Sequence, residues 1–346
     1  MKIGIPVLYD LNSIEDNIDL TFDNNLDFLE LDLNYKYVLD KLESKAVSAL
    51  TLKLKEKPVT INLKYFKDAD FASKDEIVNV YVEGIKKGLK LVKDLNIKLL
   101  SIYLQTGPSV IVNGETKYLY ELEYKAYIKR LATNLKQVQA ICNKYGILLV
   151  IENTKAPSFI IKTYKDLIIE GFNFNLNIAN DNIDRNVLKE LQESSNMKVL
   201  KYTISDCDRK VPNMMIGEGN INISYYKHLA NVSDCYVLLD YNSKEEVICA
   251  ISKFIELVET EESKAIILTD TAFDKVQRER LSNAKKEIRK EKEEQAKIEA
   301  KAKKKAKAKK KAKSSKANSS KASSSKASSS KASSSKTTSS KKTVKK

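Results

Sequence analysis

Histidine and cysteine are scarce in this sequence, which contains one histidine and four cysteines among 346 residues. The cysteines (Cys142, Cys207, Cys235 and Cys249) show no CxxC spacing. The first ten residues, MKIGIPVLYD, lack the apolar stretch of a secretory signal and resemble a strand. We therefore expect free thiols in a reducing compartment rather than a disulfide framework, and a cytoplasmic protein.

Long hydrophobic runs are also absent, because no run approaches the length of a transmembrane helix. We therefore predict a soluble chain without a transmembrane segment. Its length would allow two domains, but α/β barrels commonly use about 200–250 residues as one domain.

Acidic residues are absent from the C-terminal end. Residues 301–346 contain 18 lysines and no acid, so residues 1–300 carry 43 basic and 46 acidic groups. The formal net charge of +15 therefore belongs to this end, and the body gives no general argument for nucleic-acid binding. A five-residue repeat (KANSS, KASSS three times, KTTSS) predicts a disordered segment. Its lysines can neutralise DNA, RNA, ribosomal, polyphosphate or membrane phosphates without reading sequence, or can serve solubility alone.

Apolar runs typical of strands alternate with segments of helical spacing. Ser73 with Glu76, and Ser243 with Glu246, predict capping boxes at two helix starts. Eight strands in about 260 residues favour a (β/α)8 TIM barrel, with a doubly wound open sheet as the alternative. The predicted strands are Ile3–Tyr9, Phe28–Leu33, Val59–Leu63, Leu99–Leu104, Ile147–Ile151, Phe172–Ile178, Val199–Ile204 and Tyr236–Leu239.

Three regions are predicted: the barrel at 1–262, a charged helical extension at 263–313 and a disordered lysine/serine tail at 314–346. The apolar run Ala265–Leu268 does not fit the strand count, and we interpret it as a short strand or a docking segment.

The chemistry is expected around Glu152, which directly follows the apolar run Ile147–Ile151. Such a run predicts a strand buried on both faces of a parallel sheet. Parallel α/β proteins place their functional groups at the carboxyl ends of the strands. The alternative is that Glu152 caps a loop or pairs with a lysine.

The motifs at the predicted strand ends resemble those of the xylose isomerase-like barrels, a superfamily of sugar-phosphate isomerases, epimerases and apurinic endonucleases. The resemblance covers about residues 1–260. It rests on DFLEL, VTINLKYF, LQTGP, LLVIEN, FNLNIAN, YTISD, IGEG and VLLDYN, in this order.

The resemblance carries over the metal ligands only in part. It implies acidic ligands at Glu152, Asp206 and Asp240. Positions where the superfamily has histidine or aspartate hold amides or a hydroxyl here: Asn62, Gln105, Asn177, Asn180, Thr203 and Asn213. With Glu30 of the second strand, they are candidate ligand-binding residues.

This donor set makes zinc improbable, because zinc prefers imidazole, thiolate and carboxylate ligands. The three carboxylates suit Mg²⁺ or Mn²⁺, or they bind a sugar or sugar phosphate directly. For an isomerase or epimerase, Glu152 and Asp240 would act as base and acid, with Lys64 or a cation stabilising an enediolate. The alternatives are an apurinic endonuclease-like DNA-binding protein and a non-catalytic binding barrel.

Three smaller signals can be interpreted structurally as well as functionally. His228 lies in a helical stretch and matches no ligand, so we expect a structural or surface role. The turn Ile216–Gly219 can present N–H groups to a phosphate, but glycines in turns more often serve backbone geometry. Gly84 and Gly88, four residues apart on a predicted helix, indicate close helix packing.

Overall fold

Eight parallel strands form a closed barrel. A computed structural model describes residues 1–43, 47–154, 157–208 and 210–257. The barrel strands are β1 (Lys2–Pro6), β2 (Phe28–Asp32), β3 (Thr60–Lys64), β4 (Ile97–Tyr103), β7 (Leu148–Glu152), β8 (Asn173–Asn177), β9 (Lys198–Ile204) and β10 (Tyr236–Leu239). Around the barrel they follow the order β1-β10-β9-β8-β7-β4-β3-β2. All eight predicted strands are present, so the TIM barrel is confirmed and the open sheet is wrong.

Helices connect the strands and cover the barrel. They are α1 (Ile14–Asp23), α2 (Lys36–Glu43), α3 (Val47–Glu56), α4 (Asp75–Leu91), α5 (Leu119–Leu122), α6 (Tyr124–Lys144), α7 (Ser158–Ile169), α8 (Ile178–Ile183), α9 (Val187–Ser194), α10 (Ile223–Val232) and α11 (Lys244–Glu256). Apolar residues of the strands and helices form the core between the two layers.

Successive side chains of β2 alternate between this core and the interior of the barrel. Leu29 and Leu31 belong to the apolar core, whereas Glu30 is a buried charged residue. At the amino-terminal end of the barrel strands, the rings of Phe28 and Tyr236 lie 5.4 Å apart. Gly4 of β1 is required there, because a Cβ would lie 2.3 Å from the Phe28 carbonyl oxygen.

The two predicted capping boxes have different outcomes. Ser243 and Glu246 form the predicted box at the start of α11. The box at Ser73 is wrong, because α4 begins one residue later and its N-cap, Lys74, makes no side-chain cap hydrogen bond. On α4, Ile77 and Val80 are exposed and lie outside its buried face. The residues of α4 that are buried are Val78, Val82, Ile85 and Leu89.

The glycines of α4 pack closely at one position only. A Cβ on Gly84 would lie 3.5 Å from the Tyr65 hydroxyl, whereas a Cβ on Gly88 would meet nothing within 4 Å. Both line an apolar cavity of about 460 Å³ between the barrel wall and α4.

An antiparallel hairpin, β5 (Ser109–Val112) and β6 (Glu115–Tyr118), is inserted after β4 and was not predicted. Asn113 and Gly114 form its two-residue turn with φ of 53° and 81°. An Asn-Gly pair between apolar residues favours such a turn, so this signal could have revealed the hairpin.

None of the helices in the described ranges is long and apolar enough to cross a membrane. The predicted helical extension at 263–313, the run Ala265–Leu268 and the tail at 314–346 lie outside the described residues.

Candidate functional site

A cavity of about 440 Å³ opens at the carboxyl end of the barrel, where the strand ends bring Glu152 and Asp240 together. Glu152 ends β7, Asp240 directly follows β10, and Lys64 ends β3. Around the ring of eight strands, β3, β7 and β10 are separated by two, three and three steps. Side chains from three such positions converge on the barrel axis, so one small molecule can contact all three.

Charge is concentrated between Lys64 and Glu152. Lys64 Nζ lies 3.6 Å from Glu152 Oε1, and the side chains are 14% and 1% exposed. Burial raises the pKa of Glu152, although Lys64 and Lys201 lower it in part. Burial acts to lower the pKa of Lys64, but the charges of Glu152 and Asp240 help to raise it well above its usual value. The lysine is therefore an ammonium, and burial makes the Glu152 carboxyl group more basic.

The predicted amides divide between the cavity wall and the strands below it. Four of the predicted residues line the cavity: Gln105, Asn177, Asn180 and Asn213. Amides offer both donors and acceptors, which suits a polyhydroxylated molecule. Asn177 also caps α8 by accepting the Asn180 N–H at 3.1 Å.

Asn153 organises these amides and was not predicted as a site residue. Its Oδ1 accepts the Asn177 N–H at 2.6 Å, and its Nδ2 donates to the Asn177 carbonyl at 2.9 Å. The Asn180 side chain donates to the Asn153 carbonyl at 3.3 Å. Its position directly after Glu152 was the available signal.

Asn62 and Thr203 do not line the cavity. Both are fully buried in the barrel wall. Thr203 Oγ1 donates to Asn175 Oδ1 at 3.1 Å, which uses the hydroxyl internally. Neither polar atom of the Asn62 amide has a hydrogen-bond partner within the described ranges. Direct ligand contact, as predicted for these two residues, is therefore unsupported by their placement.

Glu30 reaches a second cavity that adjoins the first. This cavity, of about 470 Å³, shares Lys64, Tyr103 and Asp240 with it. Glu30 pairs with Lys201 of β9, and the two side chains are 1% and 0% exposed. This pair was not predicted from the sequence, because β2 and β9 face each other only once the barrel closes.

Asp206 does not join the other two acids. Its carboxylate accepts N–H groups from Cys207 at 2.8 Å, Gly217 at 3.0 Å and Ile221 at 3.1 Å. A Cβ on Gly219 would lie 2.3 Å from Asp206 Oδ1. The turn Ile216–Gly219 therefore folds around an internal carboxylate, so its predicted phosphate-binding role lacks support.

The residues present do not fit a divalent metal. No group of three or more histidine, cysteine or acidic side chains in the described part of the chain is placed to hold one. Glu152 and Asp240 share a cavity, but Asp206 is used by its own loop and Lys64 places a positive charge beside Glu152. The predicted set of Glu152, Asp206 and Asp240 for Mg²⁺ or Mn²⁺ is thus not assembled.

His228 is buried in α10 and lines neither cavity. Its placement agrees with the structural role expected from the sequence.

Comparisons with known proteins identify the fold. No family model and no curated protein matches the chain. Solved structures do match: a D-tagatose 3-epimerase-like protein has 16% identity and a TM-score of 0.57, over 81% of this chain and 99% of that chain. D-psicose 3-epimerase with D-tagatose from Clostridium cellulolyticum H10 has 13% identity and a TM-score of 0.55, over 74% and 97%. The IOLI protein with a binding zinc atom has 13% identity and a TM-score of 0.53, over 78% and 99%. The predicted resemblance is confirmed at the level of the fold.

Proposed function

We propose that this xylose isomerase-like barrel binds a small carbohydrate at its mouth and moves a proton at the carbon beside the carbonyl. The observation that carries the proposal is the convergence of Lys64, Glu152 and Asp240 on one amide-lined cavity. Structures of similar fold are named for epimerases of D-tagatose and D-psicose, which supports a carbohydrate as substrate.

The proposed roles follow from the charges. Glu152 takes the proton from the carbon beside the carbonyl, because burial raises its pKa and makes it a stronger base. The electron pair moves to the carbonyl oxygen and forms an enediolate. The Lys64 ammonium, which lies beside Glu152, stabilises that negative charge by ion pairing and hydrogen bonding.

Asp240 completes the cycle as the acid. β10 lies three steps from β7 around the ring of eight strands, so Asp240 approaches the substrate from nearly the opposite side to Glu152. Acting as the acid, Asp240 delivers a proton to the enediolate on that side, and proton exchange with water then restores both carboxyl groups. Return to the same carbon gives the epimer. Return to the former carbonyl carbon, with the hydroxyl proton of the deprotonated carbon passing to the former carbonyl oxygen, gives the isomer. In this proposal these three side chains carry out every step.

Deuterium exchange tests this proposal. The protein is incubated in D₂O with a panel of ketoses and aldoses, and loss of the proton beside the carbonyl is followed by NMR. We expect exchange with at least one sugar, and a fall of about 10²-fold or more in Glu152→Gln and Asp240→Asn. Glu83→Gln, a surface change on α4 in the exposed pair with Lys86, is the matched control.

Binding without exchange would instead support the non-catalytic barrel. An apurinic endonuclease-like activity has less support, because the described residues assemble no multi-carboxylate or histidine metal centre.

A further inference from the structure

The second cavity at the barrel mouth is rich in carboxylates. It lies on the β1–β2 side of the shared residues and is lined by Glu30, Asp32, Asp68 and Asp240, against Lys64 and Lys67. Lys67 is exposed to solvent, whereas Lys64 is held by Glu152 of the first cavity. The four carboxylates outnumber the two lysines of the lining, and counting Lys201, which pairs with Glu30, the excess is one negative charge.

One of these carboxylates has an unsatisfied oxygen. Glu30 is 1% exposed, and its Oε2 is paired with Lys201. Its Oε1 is buried and has no hydrogen-bond partner among the residues the structure describes. Buried carboxylate oxygens are nearly always paired, because an unpaired one has lost its hydration without gaining a hydrogen bond. An acceptor of this kind lining a cavity favours a ligand that brings a donor, and preferably a positive one.

Two aromatic rings border the same cavity. Tyr9 and Tyr35 both line it, and their ring centroids lie 4.0 Å apart. The residues are 42% and 40% exposed, so ring surface is available to a ligand. Cations bind favourably to aromatic faces, and carboxylates beside such faces strengthen the preference.

An anionic ligand group would be disfavoured in the second cavity. A phosphate in the second cavity would face the carboxylates of Glu30, Asp32 and Asp240. No arginine is among the described residues that line either cavity. The turn that the sequence offered for phosphate, Ile216–Gly219, gives the Gly217 N–H to Asp206 instead.

From these contacts we propose that the second cavity binds a protonated amine on the carbohydrate whose carbonyl end lies beside Lys64 and Glu152. The substrate class is thus an amino sugar rather than a sugar phosphate. This inference rests on the proposed function, since it assigns the far end of the same ligand. The amine lies between Glu30, Asp32 and the faces of Tyr9 and Tyr35.

Three ketoses that differ only at the carbon far from the carbonyl test the inference. D-Fructose, 6-amino-6-deoxy-D-fructose and D-fructose 6-phosphate are titrated into the full-length protein by isothermal calorimetry. We expect the amino sugar to bind about tenfold more tightly than D-fructose, because it adds a charge-assisted hydrogen bond, and the phosphate to bind most weakly.

Two substitutions locate the effect. Asp32→Asn removes one carboxylate, and Tyr35→Ala removes one exposed ring; each should reduce the advantage of the amino sugar to about threefold or less. Asp40→Asn, which removes an exposed carboxylate of α2 outside both cavities, should leave the advantage unchanged. Circular dichroism confirms that each variant is folded.

The outcomes separate the two proposals. If D-fructose or its phosphate binds as tightly as the amino sugar, the inference is overturned while the carbohydrate site stands. An advantage that survives both Asp32→Asn and Tyr35→Ala overturns the assignment to this cavity. If none of the three binds while deuterium exchange occurs with another sugar of the panel, the inference is overturned and the proposed function stands.

Discussion

Lys64 Nζ lies 3.6 Å from Glu152 Oε1 at the mouth of the barrel, with both side chains largely removed from water. Breaking such a pair leaves an uncompensated buried charge, so the ammonium is fixed in the site. A divalent cation bound to Glu152 and Asp240 would have to approach this positive charge. The lysine therefore opposes metal binding by the two carboxylates.

Removing the positive charge should create affinity for a metal. We predict that Lys64→Ser binds Mn²⁺ at least about tenfold more tightly than the unchanged protein, because repulsion is lost while both carboxylates remain. Free Mn²⁺ is measured by electron paramagnetic resonance during titration. Lys67→Ser removes an exposed lysine of the same cavity and should change the affinity little. Tight Mn²⁺ binding by the unchanged protein that is lost in Glu152→Gln would contradict this reading.

The fold and the meeting of Glu152 with Asp240 could be predicted from sequence for a physical reason. Parallel strands buried on both faces appear as continuous apolar runs, and their carboxyl ends share one edge of the sheet. An acid directly after such a run, as at Glu152 and Asp240, is thereby assigned to that edge without knowledge of the packing.

Contacts that depend on closure could not be predicted. In the sequence, Lys201 looks no different from a lysine on the surface of a strand. It is 171 residues from Glu30, and the two pair only when β9 and β2 face each other across the closed barrel. Asp206 follows a strand, where a ligand residue would be expected. The chain returns at Gly217 and Ile221, however, and the N–H groups of these residues donate to the Asp206 carboxylate. Both outcomes are decided by tertiary geometry rather than by local pattern.

The Glu30–Lys201 pair gives a test of stability. Lys201→Met should lower the free energy of unfolding by about 3–5 kcal/mol, because it leaves a buried carboxylate without its partner. The double variant Glu30→Leu/Lys201→Met should recover most of the loss, since an apolar pair needs no charge compensation. Urea unfolding measures both. A double variant no more stable than the single one would show that other groups depend on this pair.

The Asp206 loop gives a second stability test through its glycine. Gly219→Ala should destabilise the protein by about 2–3 kcal/mol, because the added Cβ would lie 2.3 Å from Asp206 Oδ1 and displace its hydrogen bonds. Gly88→Ala in α4 is the control. A Cβ there meets nothing within 4 Å, so alanine should stabilise the helix by about 0.5–1 kcal/mol. Equal effects of the two substitutions in thermal unfolding would contradict the role of the loop.

Asp181 predicts how stability depends on pH. Burial raises its pKa to about 6, although N–H groups of Leu188 and Lys189 donate to its oxygens and lower it in part. Above its ordinary pKa of 3.8 the unfolded chain loses this proton first, so the folded protein binds more protons between about pH 4 and 6. The contribution of Asp181 is therefore fully present below that window and is lost as the pH rises through it, by up to about 3 kcal/mol.

Urea unfolding of the unchanged protein and of Asp181→Asn between about pH 4.5 and 7 checks this sign. The difference in unfolding free energy between the two proteins should fall as the pH rises and level off above about pH 7. Asp208→Asn is the control, because N–H groups of Val211 and Lys210 lower the pKa of Asp208 and move its titration below the same window. A difference that is flat for Asp181→Asn, or that rises with pH, would mean that the two donated hydrogen bonds outweigh burial at this carboxylate.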